Sequence, residues 1–150
     1  MSSFCAKLKY NANLRIIMRM PRINNRIIFP ELSYQICGFC FNIHNKLGRY
    51  RNEKQYADAL EELLKENNIN YQREKAIPIS FKGEKERRNI PDFIIEDKII
   101  MDLKAKPLIL KEDYFQMRRY LSSYDKKLGL IINFRQKYLF PKRIINGNLN

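Results

Sequence analysis

The segment LGLIINF at residues 128–134 is the feature that most limits what this chain can fold into. It is apolar at nearly every position, so a β-strand here has two apolar faces. Such a strand is stable only inside a sheet that is covered on both sides. The rest of the chain must therefore supply covering helices, which predicts an α/β domain.

Three other segments have apolar residues at the three- and four-residue spacing of amphipathic helices. The first follows Pro30 and ends before Gly48. The second follows Asn52, which together with Gln55 matches a capping box. The third follows Pro107. These helices are long enough to cover the two faces of a small sheet.

Strand patterns occupy the stretches between and after these helices. Residues 90–95 and 99–105 are predicted to form a hairpin, because only three residues join them. Residues 71–81 and 138–145 each contain a proline, which removes a backbone donor and predicts edge strands. The predicted order is α-α-β-β-β-α-β, followed by a last short strand, in one compact domain.

The net charge of the chain indicates what kind of molecule it binds. The 150 residues include 29 Lys and Arg against 16 Asp and Glu, a net charge of +13, and 45% are hydrophobic, which is enough for a core. The usual partners of so basic a chain are phosphodiester backbones and anionic membrane surfaces. Nucleic acid is the partner that we expect.

The first 30 residues carry six of the basic groups and no acid. We expect a poorly ordered basic arm, with a strap on nucleic acid or an organelle transit peptide as alternatives. Met18 and Met20 are also candidate start positions. Residues 31–146 are then the single domain, and residues 147–150 are a short tail.

Apolar runs and cysteine spacing indicate in which cellular compartment the protein works and in what state its thiols are. No apolar run is long enough for a secretory signal or a bilayer span, so we expect a cytoplasmic protein that does not enter membranes. Cys37 and Cys40 match the C-x-x-C spacing but lie within the first predicted helix. Two buried thiols are therefore favoured over a redox motif or a zinc site.

Period two divides residues 99–106 between two faces of a strand. Positions 99, 101, 103 and 105 form a core face. The other face begins apolar and continues with Asp102, Lys104 and Lys106. Antiparallel pairing in the hairpin is expected to bring Asp92 close to Asp102.

Two converging carboxylates repel each other unless a proton or a cation lies between them. Carboxylate oxygens suit Mg²⁺ or Mn²⁺, and such a metal activates a water molecule for attack on a phosphate. Lys104 is then placed to position that water or to neutralise developing charge. The alternative for these three residues is an exposed ion pair at the end of the hairpin.

The third helix adds candidates that could act on the same substrate. Gln116 and Tyr120 lie four residues apart and therefore share one face. Arg118 and Arg119 are available for phosphate contacts.

The second helix adds a carboxylate and an aromatic residue. Glu53 and Tyr56 occupy its first turn, where the helix dipole favours a negative charge. The alternatives are a simple N-terminal charge for Glu53 and a core position for Tyr56.

These motifs carry a family resemblance. The segments PD at 91–92, DLK at 102–104 and QMRRY at 116–120, in this order of elements, resemble the PD-(D/E)XK nuclease superfamily in its RecB-like Q-x-x-x-Y branch.

More closely, residues 31–145 resemble the GxxExxY family. The family is named after its G-x-x-E-x-x-Y signature, of which Glu53 and Tyr56 match the last two fixed positions. Residues 128–134 resemble the last core strand of that family. The glycine of the signature falls at Tyr50, where this chain departs from the family.

The resemblance implies a nuclease core with a central mixed sheet of four to five strands flanked by helices, and Mg²⁺ or Mn²⁺ as cofactor. It implies Asp92, Asp102 and Glu53 as metal ligands, together with the backbone carbonyl of Leu103, and it implies Lys104 as the catalytic lysine.

The remaining candidates form two groups. The positioning residues are Gln116, Tyr120 and Tyr56. The nucleic-acid-binding residues are Arg118, Arg119 and Lys106. The leading hypothesis is metal-dependent hydrolysis of a nucleic-acid phosphodiester, with DNA favoured over RNA. A nucleic-acid-binding module without turnover on the same scaffold is the alternative, and a partner-binding structural protein is the third. The oligomeric state stays open, a homodimer included.

Overall fold

In the part of the chain that the structure describes, three helices and five strands follow one another in the order that the sequence pattern predicts. The computed structural model describes residues 27–148. The helices are α1 (Pro30–Leu47), α2 (Glu53–Glu66) and α3 (Lys111–Ser123). The strands are β1 (Tyr71–Arg73), β2 (Phe93–Ile95), β3 (Ile99–Lys104), β4 (Leu128–Asn133) and β5 (Lys142–Ile145). The predicted α/β class and the mixed five-stranded sheet are confirmed.

The five strands lie side by side in the order in which they occur along the chain. Strands β3 and β4 are parallel, and every other neighbouring pair is antiparallel. The predicted hairpin is present, with Phe93 opposite Met101. Strands β1 and β5 form the two edges, as the sequence predicts for these segments.

The alternation of side chains along the strands divides the interior into two cores. Helices α1 and α2 cover one face of the sheet, onto which Met101 and Leu130 point. Helix α3 covers the other face, onto which Ile100 and Ile131 point. Strand β4 is buried along its whole length, so the apolar run that contains it has both faces covered as predicted.

Local sequence signals account for the helix boundaries. The Asn52 side chain accepts a hydrogen bond from the Gln55 N–H at 2.9 Å, and the Gln55 side chain accepts one from the Asn52 N–H at 3.0 Å. This reciprocal pair confirms the capping box and fixes where α2 begins. Cys37 and Cys40 are buried free thiols inside α1, and burial raises the pKa of both.

The predicted strands are longer than the observed ones, and the reason is local backbone conformation. Strand β1 ends at Arg73 because Glu74 adopts a φ of 51°, in the left-handed region, which turns the chain out of the sheet. Strand β2 begins only after Pro91, which has no N–H to donate to a neighbouring strand. Strand β5 likewise begins after Pro141.

The packed part of the chain begins before the predicted boundary at residue 31. Ile28 and Phe29 pack against the core beneath α1 and α2, and Arg143 in β5 donates a hydrogen bond to the Ile28 carbonyl at 2.6 Å. All six basic residues of the predicted arm lie outside the described residues. Within residues 27–148, no helix is long and apolar enough to cross a bilayer.

Candidate active site

Two carboxylates meet where β2 and β3 come together. Phe93 pairs with Met101, so Asp92 lies opposite Asp102 one position further along. Asp92 Oδ2 accepts a hydrogen bond from the Leu103 N–H at 2.5 Å. The N–H and C=O of one strand residue point to the same side, so the Leu103 carbonyl also lies on the Asp92 side of β3.

Burial and the neighbouring carboxylate perturb Asp92. Asp102 is only 5% exposed and Asp92 is half-buried. Burial, reinforced by the nearby charge of Asp102, raises the pKa of Asp92 from 3.8 to about 7. Asp102 Oδ2 is buried without a hydrogen-bond partner. The only described partner of this oxygen is the ammonium of Lys104, with which it forms an ion pair.

Lys104 lies on the same face of β3 as Asp102. Its Nζ forms an ion pair with Asp102 Oδ2 at 2.7 Å and donates to Gln116 Oε1 at 3.1 Å. The side chain is 15% exposed, so the alternative of an exposed ion pair is wrong. Burial favours a lower pKa for Lys104, but the adjacent Asp102 carboxylate outweighs burial and the pKa is raised. Lys104 is therefore a cation at neutral pH rather than a base.

Gln116 and Tyr120 connect α3 to this corner of the sheet. Gln116 accepts from Lys104 and is hydrogen-bonded to Tyr120. The Tyr120 hydroxyl donates to the Ile90 carbonyl at 3.3 Å. Burial raises the pKa of Tyr120, so it remains a phenol. The two side chains share one face of α3, as predicted, and that face is directed at Lys104.

Asp113 is a residue of this corner that the sequence patterns missed. Its buried carboxylate lies 2.5 Å from Lys106 Nζ and 3.8 Å from Lys104 Nζ, and accepts from the Leu110 N–H at 2.7 Å. Burial opposes ionisation of Asp113, but the hydrogen bonds from Lys106 and the Leu110 N–H, together with the charges of Lys106 and Lys104, outweigh burial and lower the pKa of Asp113. An acid in the first turn of α3, just after a Lys-x-Lys segment, was the available signal.

Asn133 is the second residue that was missed, because it was counted within an apolar run. Its amide donates to the Lys106 carbonyl at 2.8 Å and accepts from the Lys106 N–H at 3.2 Å. It also accepts from the Arg135 N–H at 3.3 Å. Asn133 therefore ties the end of β4 to the end of β3, where the site lies.

The predicted nucleic-acid-binding residues separate in the structure. Lys106 forms an ion pair with Asp113, and its role in binding nucleic acid stays a prediction. Arg119 is exposed and its charge acts on Tyr120 at the site. Arg118 instead lines a surface cleft beside β5, with Ile145 on the far side. Arg118 therefore lies apart from Lys104, and its role in binding nucleic acid stays a prediction.

Glu53 reaches the end of β3 from the start of α2. Its Oε1 accepts from the Ala105 N–H at 3.3 Å, and its charge adds to the upward pKa shift of Asp92. Among residues 27–148, however, no three His, Cys, Asp or Glu side chains are close enough to share a metal ion. Glu53 lies at the rim of the Asp92–Asp102 pair, and its role as a third metal ligand stays a prediction.

Tyr56 is fully buried, so substrate has no access to its ring. The ring stacks on Phe134 with 4.1 Å between centroids. The hydroxyl donates to the Gly48 carbonyl at 2.6 Å and accepts from the Arg51 N–H at 3.1 Å. The core interpretation of Tyr56 is therefore correct, and its direct contact with substrate is not. Tyr56 holds the loop that precedes Glu53.

The donor set fits a divalent cation of the Mg²⁺ type. It offers two carboxylates, one of them with a buried oxygen whose described partner is the Lys104 ammonium, and a backbone carbonyl on the same side of β3. Mg²⁺ is commonly bound through one or two carboxylates, and water molecules complete its coordination.

Similarity to known proteins adds one finding. Residues 30–144 match the model of a protein family described as the PD-(D/E)XK nuclease superfamily. This range contains all three helices and both site carboxylates. No curated protein and no solved structure matches the chain.

Proposed function

Because the chain belongs to the PD-(D/E)XK nuclease superfamily, we propose that it is a metal-dependent nuclease that hydrolyses phosphodiester bonds, with DNA as the preferred substrate. The observation that carries this proposal is the convergence of Asp92, Asp102 and Lys104 at one buried corner of the sheet. Two acids that can hold a cation and one fixed ammonium are suited to a reaction in which negative charge develops on phosphate.

We assign Mg²⁺ or Mn²⁺ to Asp92, Asp102 and the Leu103 carbonyl. When bound, the cation supplies Lewis-acid polarisation of the phosphate and lowers the pKa of a water molecule. Asp102 is held in place by β3, and Asp92 by its hydrogen bond from the Leu103 N–H. Both oxygen donors are therefore fixed before a ligand arrives.

Lys104 is the fixed positive charge of the site. Its ammonium lies between Asp102 and Gln116, so it is positioned to orient the attacking water and to stabilise charge on the phosphate. Attack in line with the 3′ oxygen breaks the bond between phosphorus and that oxygen. The products are a 5′-phosphate and a 3′-hydroxyl.

Three further residues support this chemistry from neighbouring elements. Gln116 holds the ammonium of Lys104, and Tyr120 holds Gln116. The negative charge of Asp113 partly neutralises Lys104, the last residue of β3, and Lys106, which lies just after it. Each acts on the position or charge of Lys104 and is a positioning residue.

Within the superfamily we propose membership of the GxxExxY family. Glu53 at the first position of α2 and Tyr56 one turn later support this assignment, because one reaches β3 and the other fixes the preceding loop. Tyr50 at the glycine position is the departure.

The proposal is tested by incubating the full-length protein with single- and double-stranded DNA and with RNA, in Mg²⁺, Mn²⁺ or EDTA. We expect cleavage only with metal, and a loss of about 100-fold or more in rate for Asp102→Asn and for Lys104→Ala. Asp97→Asn is the matched control, because Asp97 lies in the exposed turn between β2 and β3 and pairs with Lys126. It should cleave like the wild type.

Equal cleavage by the wild type and Asp102→Asn would show that the assigned site does not carry the activity. Binding of nucleic acid without cleavage in either metal would support the binding module instead.

A further inference from the structure

A second cluster of side chains lies near the site without belonging to it. Tyr50, in the loop between α1 and α2, is flanked by Arg49 and by Arg135, which follows β4. Arg135 donates its N–H to the Asn133 side chain, which also binds the backbone of Lys106. The cluster and the site therefore lie at the same end of the sheet, where strands β3 and β4 end.

The two arginines hold each other in place. Arg49 Nε donates to the Arg135 carbonyl at 2.8 Å, and Arg135 Nε donates to the Arg49 carbonyl at 3.0 Å. Their guanidinium carbons lie 5.4 Å and 5.8 Å from the centroid of the Tyr50 ring. Long side chains usually lose entropy on binding a ligand. Here the reciprocal hydrogen bonds have already ordered both side chains.

The Tyr50 ring of this cluster is open to a ligand, and the two guanidiniums lie half-buried beside it. Tyr50 is 77% exposed despite its two neighbours, so much of the ring surface is open. Within residues 27–148, neither Arg49 nor Arg135 forms an ion pair with a carboxylate. Single exposed aromatics are common on protein surfaces. An exposed ring fixed beside two unpaired guanidiniums is a more specific arrangement.

We propose that Tyr50 stacks against an unpaired nucleobase while Arg49 and Arg135 bind the adjacent phosphates. Aromatic stacking combined with positive charge is how proteins bind single-stranded nucleic acid without reading its sequence. The faces of bases within a closed duplex are already stacked on one another. The cluster therefore selects nucleic acid with unpaired bases as substrate class. This selection rests on the proposed nuclease function, because it names what that function acts on.

The test measures binding in EDTA, so that no strand is cut. A short labelled single strand, of DNA or of RNA, is bound by the full-length protein and followed by fluorescence anisotropy. Covalently closed circular duplex DNA serves as the competitor that reports duplex affinity. We expect Tyr50→Ala to weaken single-strand binding by about tenfold or more and to leave duplex affinity unchanged.

Two further variants make the comparison specific. Tyr50→Phe keeps the ring and should bind single strands like the wild type. Phe81→Ala is the matched control, because Phe81 is 64% exposed and lies at the opposite end of the sheet. The neighbouring Ser80 hydroxyl is 3.3 Å from that of Ser123, at the end of α3. This control should also bind like the wild type.

Three results would overturn the proposal: full binding by Tyr50→Ala, an equal loss for single strand and duplex, or an equal loss in Phe81→Ala. Tyr50→Leu replaces Tyr50→Ala if the latter lacks the circular dichroism of the wild type. A chain that stacks bases but cuts nothing would contradict the nuclease function alone. A nuclease whose binding is indifferent to Tyr50 would contradict this inference alone.

Discussion

At the scale of single residues, Asp92 and Asp102 are two acids that the fold holds together at a cost. The raised pKa of Asp92 means that the native state keeps a proton between pH 3.8 and about 7, where the unfolded chain has released it. The native state binds more protons than the unfolded state in this window. The contribution of Asp92 to stability therefore falls as pH rises through it.

Asp92→Asn should therefore stabilise the metal-free protein. The substitution removes one of two repelling charges, and the amide oxygen can still accept from the Leu103 N–H. In EDTA at about pH 8 we expect a higher Tm than that of the wild type. Asp97→Asn, in the exposed turn, should leave Tm unchanged.

Mg²⁺ should raise the Tm of the wild type and not that of Asp92→Asn. The increase should be larger at about pH 8 than at about pH 6, because Asp92 must release its proton to bind metal. Thermal denaturation with and without Mg²⁺ measures both effects. An equal Mg²⁺ shift at the two pH values, or in the variant, would remove Asp92 from the ligand set.

Residue-scale predictions succeeded where the contact is local and failed where it is not. Period two and the hairpin placed Asp92, Asp102 and Lys104 together because all three lie within one hairpin. Asp113 and Asn133 reach the same corner from α3 and β4. The position of Asp113 in the first turn of α3 is a local signal, but the partners of both residues depend on how these elements pack.

At the scale of elements, the contact between α3 and β4 sets the height of α3 above the sheet. A Cβ at Gly129 would overlap Met117 Sδ and would lie 2.6 Å from its Cγ. Helix α3 can therefore approach β4 this closely only because position 129 has no side chain. Gln116 precedes Met117 on α3, and it reaches Lys104 because the helix lies this close to the sheet.

Gly129→Ala should reduce the free energy of unfolding by about 1–3 kcal/mol through overpacking. Urea denaturation measures the loss. Gly147→Ala, where a Cβ meets no atom within 4 Å, is the control and should change stability by less than about 0.5 kcal/mol. In the double variant Gly129→Ala/Met117→Ala, the loss should be smaller than the sum of the single losses. Strict additivity would show that the two residues do not touch.

Helices were predicted more accurately than strands for a physical reason. The ends of α2 follow from its capping box and its apolar stripe, both of which are written in neighbouring residues. The length of β1 depends instead on Glu74, which enters the left-handed region without being a glycine. Side-chain type at residues 74–81 gave no sign of that turn.

At the scale of the whole molecule, the net charge of +13 has two parts. Six basic residues lie within residues 1–26 with no acid, and the remaining 23 basic and 16 acidic residues give 23 − 16 = +7. Neutralising phosphates releases counterions, so affinity should fall linearly on a logarithmic scale of salt concentration. The steepness of that fall reflects how many phosphates the protein neutralises.

Changing Arg15, Arg19 and Arg22 to Gln should make the salt dependence of nucleic-acid binding shallower, by about 0.7–0.9 in slope for each phosphate that is no longer neutralised. Titrations at several salt concentrations in EDTA measure it. Lys85→Gln, a change at an exposed loop residue outside residues 1–26, should leave the slope unchanged. An unaltered slope in the triple variant would show that these arginines do not bind phosphate.

The order of strands in the sheet also bears on how the chain folds during synthesis. Because the strands lie side by side in chain order, each new strand can join an existing edge as it leaves the ribosome, and none has to insert between two others. Asp92 and Asp102 come together when the β2–β3 hairpin closes, before α3 and β4 have been translated. The two carboxylates therefore come together while water and ions still surround them, and α3 covers them afterwards.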